Sequence, residues 1–141
     1  GSLAGLVGVT APCAFVAPWA AVVIGIVASL VMIASVHFVE NKLKVDDPVG
    51  AVSVHGTAGL WGLLAVGIFA DGTYGVSGLI VGNSAQIVAQ LIGIVTVVIW
   101  SLATGFILFY ILKATMGLRV GVEDEQVGLD ILEHEERGYD L

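Results

Sequence analysis

The first 36 residues of this chain contain no Asp, Glu, Lys or Arg. Charged residues make up only 12% of the 141, roughly half the share of a soluble domain. That scarcity excludes an ordinary hydrated surface. Hydrophobic residues are 57% of the chain and the mean hydropathy is +1.01. Apolar runs of about 18 residues or more are membrane-spanning candidates, so the composition is that of an integral membrane protein. Five basic residues form no patch, which leaves nucleic-acid binding without support. A single cysteine, Cys13, excludes an intramolecular disulfide and a thiolate zinc cluster; it is expected to be a small buried residue. No Ser-His-Asp spacing, phosphate loop, CxxC or HExxH occurs, so an enzyme is a poor fit and no cofactor or metal is expected. A starting Met and a basic n-region are also missing. The chain opens within an apolar segment and is expected to belong to a longer polypeptide.

The charge that is present is unevenly spread. Residues 119–141 hold eight acids against Arg119 and Arg137, whereas the preceding 118 residues are close to neutral. The acidity therefore describes a hydrated tail. Four apolar blocks precede it in a transmembrane portion, residues 1–118: a partial span at about 1–11 and spans at about 18–38, 48–70 and 85–116. Pro18 suits the first turn of its helix, and Trp19 is placed as an interfacial anchor. At 1.5 Å per residue the 18–38 block is about 31 Å long, one bilayer core. The last block, at about 48 Å, must tilt strongly or project. Lys42 and Lys44 lie in one loop, and Lys113 and Arg119 flank the last helix. The glycine-rich connection 71–84 has no Lys or Arg. The basic-residue rule then puts the first loop and the tail in the cytoplasm.

His55 lies in a run, Pro48 to Ala70, that has no charged residue. Counting 3.6 residues per turn, its face also holds Ala51, Ala58, Gly59, Gly62 and Ala65. Small residues let helix backbones approach closely in lipid, so His55 is expected to look inward, into a close-packed bundle or a narrow passage. Two roles are open to it. It is either a structural ring bonded to a neighbouring helix or a polar station for a small polar solute or proton. A neutral imidazole offers one donor and one acceptor nitrogen. Asp47, just before Pro48, is expected to accept free N–H groups at the helix start, with shaping of the cytoplasmic mouth of a pore as the alternative. Asp46 reads as solvated, His37 as interfacial, Gln86 and Gln90 as helix glue or water-facing, and Trp61 and Trp100 as packing residues.

Three stretches then carry a resemblance. Gly5-Leu-Val-Gly-Val-Thr-Ala-Pro12, Asp46-Asp-Pro-Val-Gly-Ala-Val-Ser-Val-His55-Gly56, and Gly117-Leu-Arg119 followed by Gly128-Leu-Asp130 resemble, in order, the C-terminal third of the ammonium transporter (Amt/Rh) family. The resemblance implies an all-α membrane protein, a homotrimer of eleven-helix subunits built from two inverted repeats with a pore in each. This chain would supply the end of helix eight, helices nine to eleven and the cytoplasmic tail. His55 matches the second of the family's paired pore histidines, Ala51 another pore-lining position, and Asp47 a structural acid before helix ten. The implied activity is passage of ammonium or ammonia through a narrow apolar pore in a plasma membrane. The tail is similar to the Amt branch. Arg119, Gly128, Asp130, His134 and Tyr139 match a segment that couples subunits, and a PII-type regulatory protein is a possible partner. Leu132 stands where plant members carry a phosphorylatable threonine. The Glu135-Glu-Arg-Gly138 stretch departs from the commoner His-Gly form. An ammonium sensor on the same scaffold is the alternative function, and a subunit with a dead pore is a third.

Overall fold

The computed structural model describes residues 1–138. Among them, α-helices run over Ser2–Thr10 (α1), Pro18–Phe38 (α2), Ala58–Phe69 (α3), Ala85–Thr115 (α4), Val122–Val127 (α5) and Leu129–His134 (α6). Two π turns extend this set, Val39–Leu43 after α2 and Val52–Thr57 before α3. Among the described residues three helices are long and apolar enough to cross a membrane: Pro18–Leu43, Val52–Phe69 and Ala85–Thr115. The chain divides into two compact units, Gly1–Val98 and the residues from Ile99 onward, with the boundary inside α4.

In the first unit, α1, α2 and α3 pack mainly through small residues, with Ile24 the one large side chain fully buried among them. Ala4 and Gly8 of α1, Ala20, Ile24 and Ala28 of α2, and Ala58, Gly62 and Ala65 of α3 are all buried. The approach is backbone to backbone. A Cβ on Gly62 would sit 2.6 Å from the Gly8 carbonyl oxygen, and one on Gly8 would sit 2.6 Å from the Ala28 Cβ. Apolar side chains gain little in lipid by meeting each other, so close van der Waals contact between backbones is the available attraction. Trp61 adds a directional bond, donating Nε1–H to the Ile24 carbonyl at 3.0 Å. Its ring also packs against both buried clusters of the unit, in keeping with a packing role.

The connection after α3 is a tight loop. Asp71 Oδ1 accepts from the Thr73 N–H at 3.0 Å and from its hydroxyl at 2.6 Å, and Asp71 and Ser77 form an antiparallel bridge. The Thr73 bonds hold the Asp71 carboxyl below its usual range. The Asp71 N–H also donates to the Phe15 carbonyl at 3.0 Å, tying this loop to the α1–α2 connection. Asn83 Oδ1 then accepts from the Ala85 N–H and opens α4. Cys13 differs from expectation. It is exposed at the end of α1, where its thiol donates to the Thr10 carbonyl at 3.2 Å, while the neighbouring Pro12 takes the fully buried place.

In the second unit α4 ends at Thr115, and Gly117 two residues on takes a positive φ of 79°, which suits a glycine helix stop. Two short helices follow, separated by Gly128 at φ 104°.

Substituting Gly62 by Ala tests the packing. Its new methyl meets a backbone oxygen that cannot turn aside, so we expect a loss of about 1–3 kcal/mol. At Gly59 the nearest atom to an added Cβ is Val7 Cγ1 at 3.8 Å, so Gly59→Ala should change stability by less than about 1 kcal/mol. Thermal unfolding of the intact protein in lipid or detergent compares the two.

Candidate functional site on the π turn

The segment carrying His55 does not begin as a helix at Pro48. Asp47-Pro48-Val49-Gly50 has the residue preferences of a type I turn, with Asp first, Pro second and Gly last. The Gly50 N–H closes it on the Asp47 carbonyl at 2.8 Å, and Gly50 takes a positive φ of 67°. Helical backbone starts at Ala51 and runs as a π turn through Thr57. At its end the Ala58 N–H is shared between the carbonyls of His55 and Ser53, the second five residues back.

Asp47 holds the start of this turn. It is 5% exposed, and its two oxygens accept from the backbone N–H groups of Val52 and Ser53, each at 3.1 Å. Burial pushes its carboxyl up, but the backbone bonds from Val52 and Ser53, with smaller help from the Ser53 hydroxyl and the Ala51 amide, outweigh that and leave it below its ordinary value. The Ser53 Oγ is fully buried and meets strict hydrogen-bond geometry with nothing among the described residues. The expected capping by Asp47 is therefore present. It is displaced toward the chain's C-terminus, because the turn at Pro48 delays the first free N–H groups.

The π turn also splits the face expected to hold His55. Ala58, Gly62 and Ala65 are buried against α1 and α2, whereas His55 and Ala51 are exposed on this chain, and Gly59 is half-buried. A π turn winds each residue through a smaller angle than an α turn. Counting back from Ala58, that difference carries His55 off the packed face and brings Ser53 onto it. Of the two inward settings expected for His55, the close-packed one is not what this chain shows: the imidazole stands clear of the three-helix contact. Beneath it the hydroxyls of Thr57 and Ser35 share a 2.7 Å hydrogen bond, linking the turn to α2.

The tail residues lie in the other unit. Arg119 forms an exposed ion pair with Glu125, and that hydrogen bond holds the guanidinium pKa above its ordinary value. Asp130 Oδ2 accepts from the Gly138 N–H at 2.7 Å. That bond, joined by Ile131 and Arg137 and opposed by burial, keeps its carboxyl low. Gly128 supplies the left-handed link between α5 and α6, and His134 ends α6. Tyr139 lies outside the described residues. Sequence reasoning missed Ser53, Ser35 and Thr57. The turn signature at Asp47–Gly50 was the available signal for a helix that starts late.

Apolar helices joined through glycine and alanine, three of them among the described residues long and apolar enough to cross a membrane, are those of a polytopic α-helical membrane protein, and one candidate span carries an imidazole on an irregular turn. Residues 1–139 match the Ammonium Transporter Family, and the chain belongs to that family. It is 48% identical to the ammonium transporter Amt2 of Archaeoglobus fulgidus, over 99% of this chain and 31% of that protein. It is 42% identical to a putative ammonium transporter 1 member 5 of Arabidopsis thaliana, over 95% of this chain and 29% of that protein. Its fold is similar to the crystal structure of Saccharomyces cerevisiae Mep2, with a TM-score of 0.78 and 33% identity over 92% of this chain and 31% of that one. The chain thus spans about a third of the length of these relatives, and its fold is part of the fold they share.

The Asp47 cap has a defined pH signature. Its folded-state pKa lies below the 3.8 of a free side chain. Its stabilisation is therefore complete above that value and is lost as pH falls through the lower, folded one. Asp47→Ala should lower the unfolding temperature clearly at about pH 7 and much less at about pH 2. Paired thermal melts at the two pH values test this.

Proposed function

We propose that the protein to which this chain belongs carries ammonium or ammonia across a membrane, with His55 and Ala51 on the solute path. The observation that carries the reading is His55 itself. It is an imidazole inside an 18-residue apolar span, Val52–Phe69, exposed on this chain and free of hydrogen bonds to the other described residues. An ionisable residue at such depth defaults to a functional role. A structural ring would be expected to spend its donor and acceptor on neighbouring helices. Family membership over residues 1–139 and relatives named as ammonium transporters favour a nitrogen solute. A neutral ring can exchange hydrogen bonds with ammonia without retaining a cation. Asp47 shapes the end of the path by fixing the turn that leads into it.

The same reading takes the protein as a homotrimer in a plasma membrane, with the loop of Lys42 and Lys44 and the tail on the cytoplasmic side, where basic residues collect. The tail segment bearing Arg119, Gly128, Asp130, His134 and Tyr139 would couple neighbouring subunits or receive a PII-type regulator. Its exposed apolar side chains Val122, Val127 and Leu132, set among acids, suit such a contact.

Methylammonium uptake by the full-length protein in liposomes tests the pore. We expect His55→Ala to lower uptake at least about tenfold with the amount of folded protein unchanged; unchanged uptake removes His55 from the path. Loss of signalling with uptake already absent in the parent protein would favour a sensor instead. Deleting residues 119–141 should leave single pores competent but abolish their coupling or regulation. Retention of both would end the role assigned to the tail.

A further inference from the structure

We infer that Asp47 and Ser53 act as a pair of positioning residues for His55, holding the first turn of the span in π register so that the imidazole clears the α1–α2–α3 contact. The inference rests on the transport reading of His55 and adds to it the device that aims the ring.

Two windings compete for this stretch. In an uninterrupted α-helix His55 would share the arc of Ala58, Gly62 and Ala65. That arc is closely packed: Ala58 and Ala65 are 0% exposed, and a single methyl on Gly62 would already strike the Gly8 carbonyl at 2.6 Å. In the π turn Ser53 enters the interface instead and the ring is released. Apolar packing alone does not select this state, because it buries the Ser53 Oγ without a hydrogen-bond partner, an arrangement that opposes burial. Something must offset that cost. Asp47 supplies it, accepting the N–H groups of two consecutive residues, Val52 and Ser53, at 3.1 Å each. Fixing both amides sets the azimuth of the following turn. A small side chain at 53 is then required, since its site is fully buried. π turns interrupting α-helices are frequent at functional sites for this reason: one locally unfavourable turn re-aims a side chain that regular winding would bury.

Asp47→Asn retains the size of the side chain but presents an amide N–H₂ to one of the two backbone donors, so only one N–H keeps its acceptor. Ser53→Leu overfills the buried site and forces residue 53 outward. Both substitutions should rotate His55 toward the interface without touching the solute. In full-length protein reconstituted in liposomes, we expect the maximal rate of methylammonium uptake per folded protein to fall about tenfold or more in each, with KM within about threefold of the parent. Ser53→Ala, which keeps the size, should lie between parent and Ser53→Leu. Thermal melts and the amount of correctly assembled protein, measured on the same preparations, set the folded fraction. A fall in uptake that only tracks the folded fraction overturns the positioning role, as does an unchanged maximal rate in Asp47→Asn while His55→Ala abolishes uptake. If His55→Ala itself retains uptake, the transport reading fails, and the positioning role fails with it.

Discussion

A methyl group on Gly62 would occupy the space of the Gly8 carbonyl oxygen, and one on Gly8 would strike Ala28. This double contact, in which α1 seats closely against both α2 and α3, is the constraint on which the rest of the first unit depends. In a lipid-like setting, side chains are not driven together by exclusion from water. Contact area between backbones, with the Trp61 bond to the Ile24 carbonyl, has to supply cohesion instead. The consequence is a surface with little tolerance for bulk at its closest approach. Where α1 meets α3 at Gly8 and Gly62, a methyl added to Gly62 already collides with backbone.

That intolerance explains the irregular winding of the following segment. The span needs Ala58, Gly62 and Ala65 in the contact and His55 out of it, yet a regular helix places all four on one arc. A single π turn resolves the conflict by changing phase between residues 52 and 57. The turn at Asp47–Gly50 and the carboxylate of Asp47 prepare it. Packing, local backbone geometry and the exposure of a titratable ring are thus one problem with one solution. The same turn makes Ser53, an unremarkable residue in sequence, a structural hinge between Asp47 and the helix interface.

Much of the helical layout was legible because apolar runs and their proline and glycine boundaries report directly on helix length. Pro18 opens α2, and the Asp71–Gly78 stretch is a tight loop, as its composition suggests. The capping capacity of Asp47 was also readable from its place before Pro48. The phase of the Val52–Thr57 turn was not, because periodicity arguments assume uniform α winding. Five-residue hydrogen bonding leaves no compositional mark. The exposure of Cys13 was equally hidden: whether a small apolar residue is buried depends on which face of a short connection meets its neighbours, and Pro12 takes that place. The short helices α5 and α6 lie below the length at which a sequence pattern speaks: positive-φ Gly128 stands between them, and Glu135 at φ 55° ends the second.

The central claim is that the span Val52–Phe69 enters its helix through a π turn that exchanges Ser53 for His55 at the helix interface. An experimental structure of the intact protein, at a resolution that traces backbone carbonyls from Pro48 to Ala70, tests it most directly. The account predicts the Ala58 N–H on the Ser53 carbonyl, the Asp47 carboxylate on the amides of Val52 and Ser53, Ser53 inside the contact, and the His55 ring facing the solute path. An unbroken i→i+4 ladder from residue 51 to residue 69, with His55 turned into the face of Ala58 and Gly62, would contradict it.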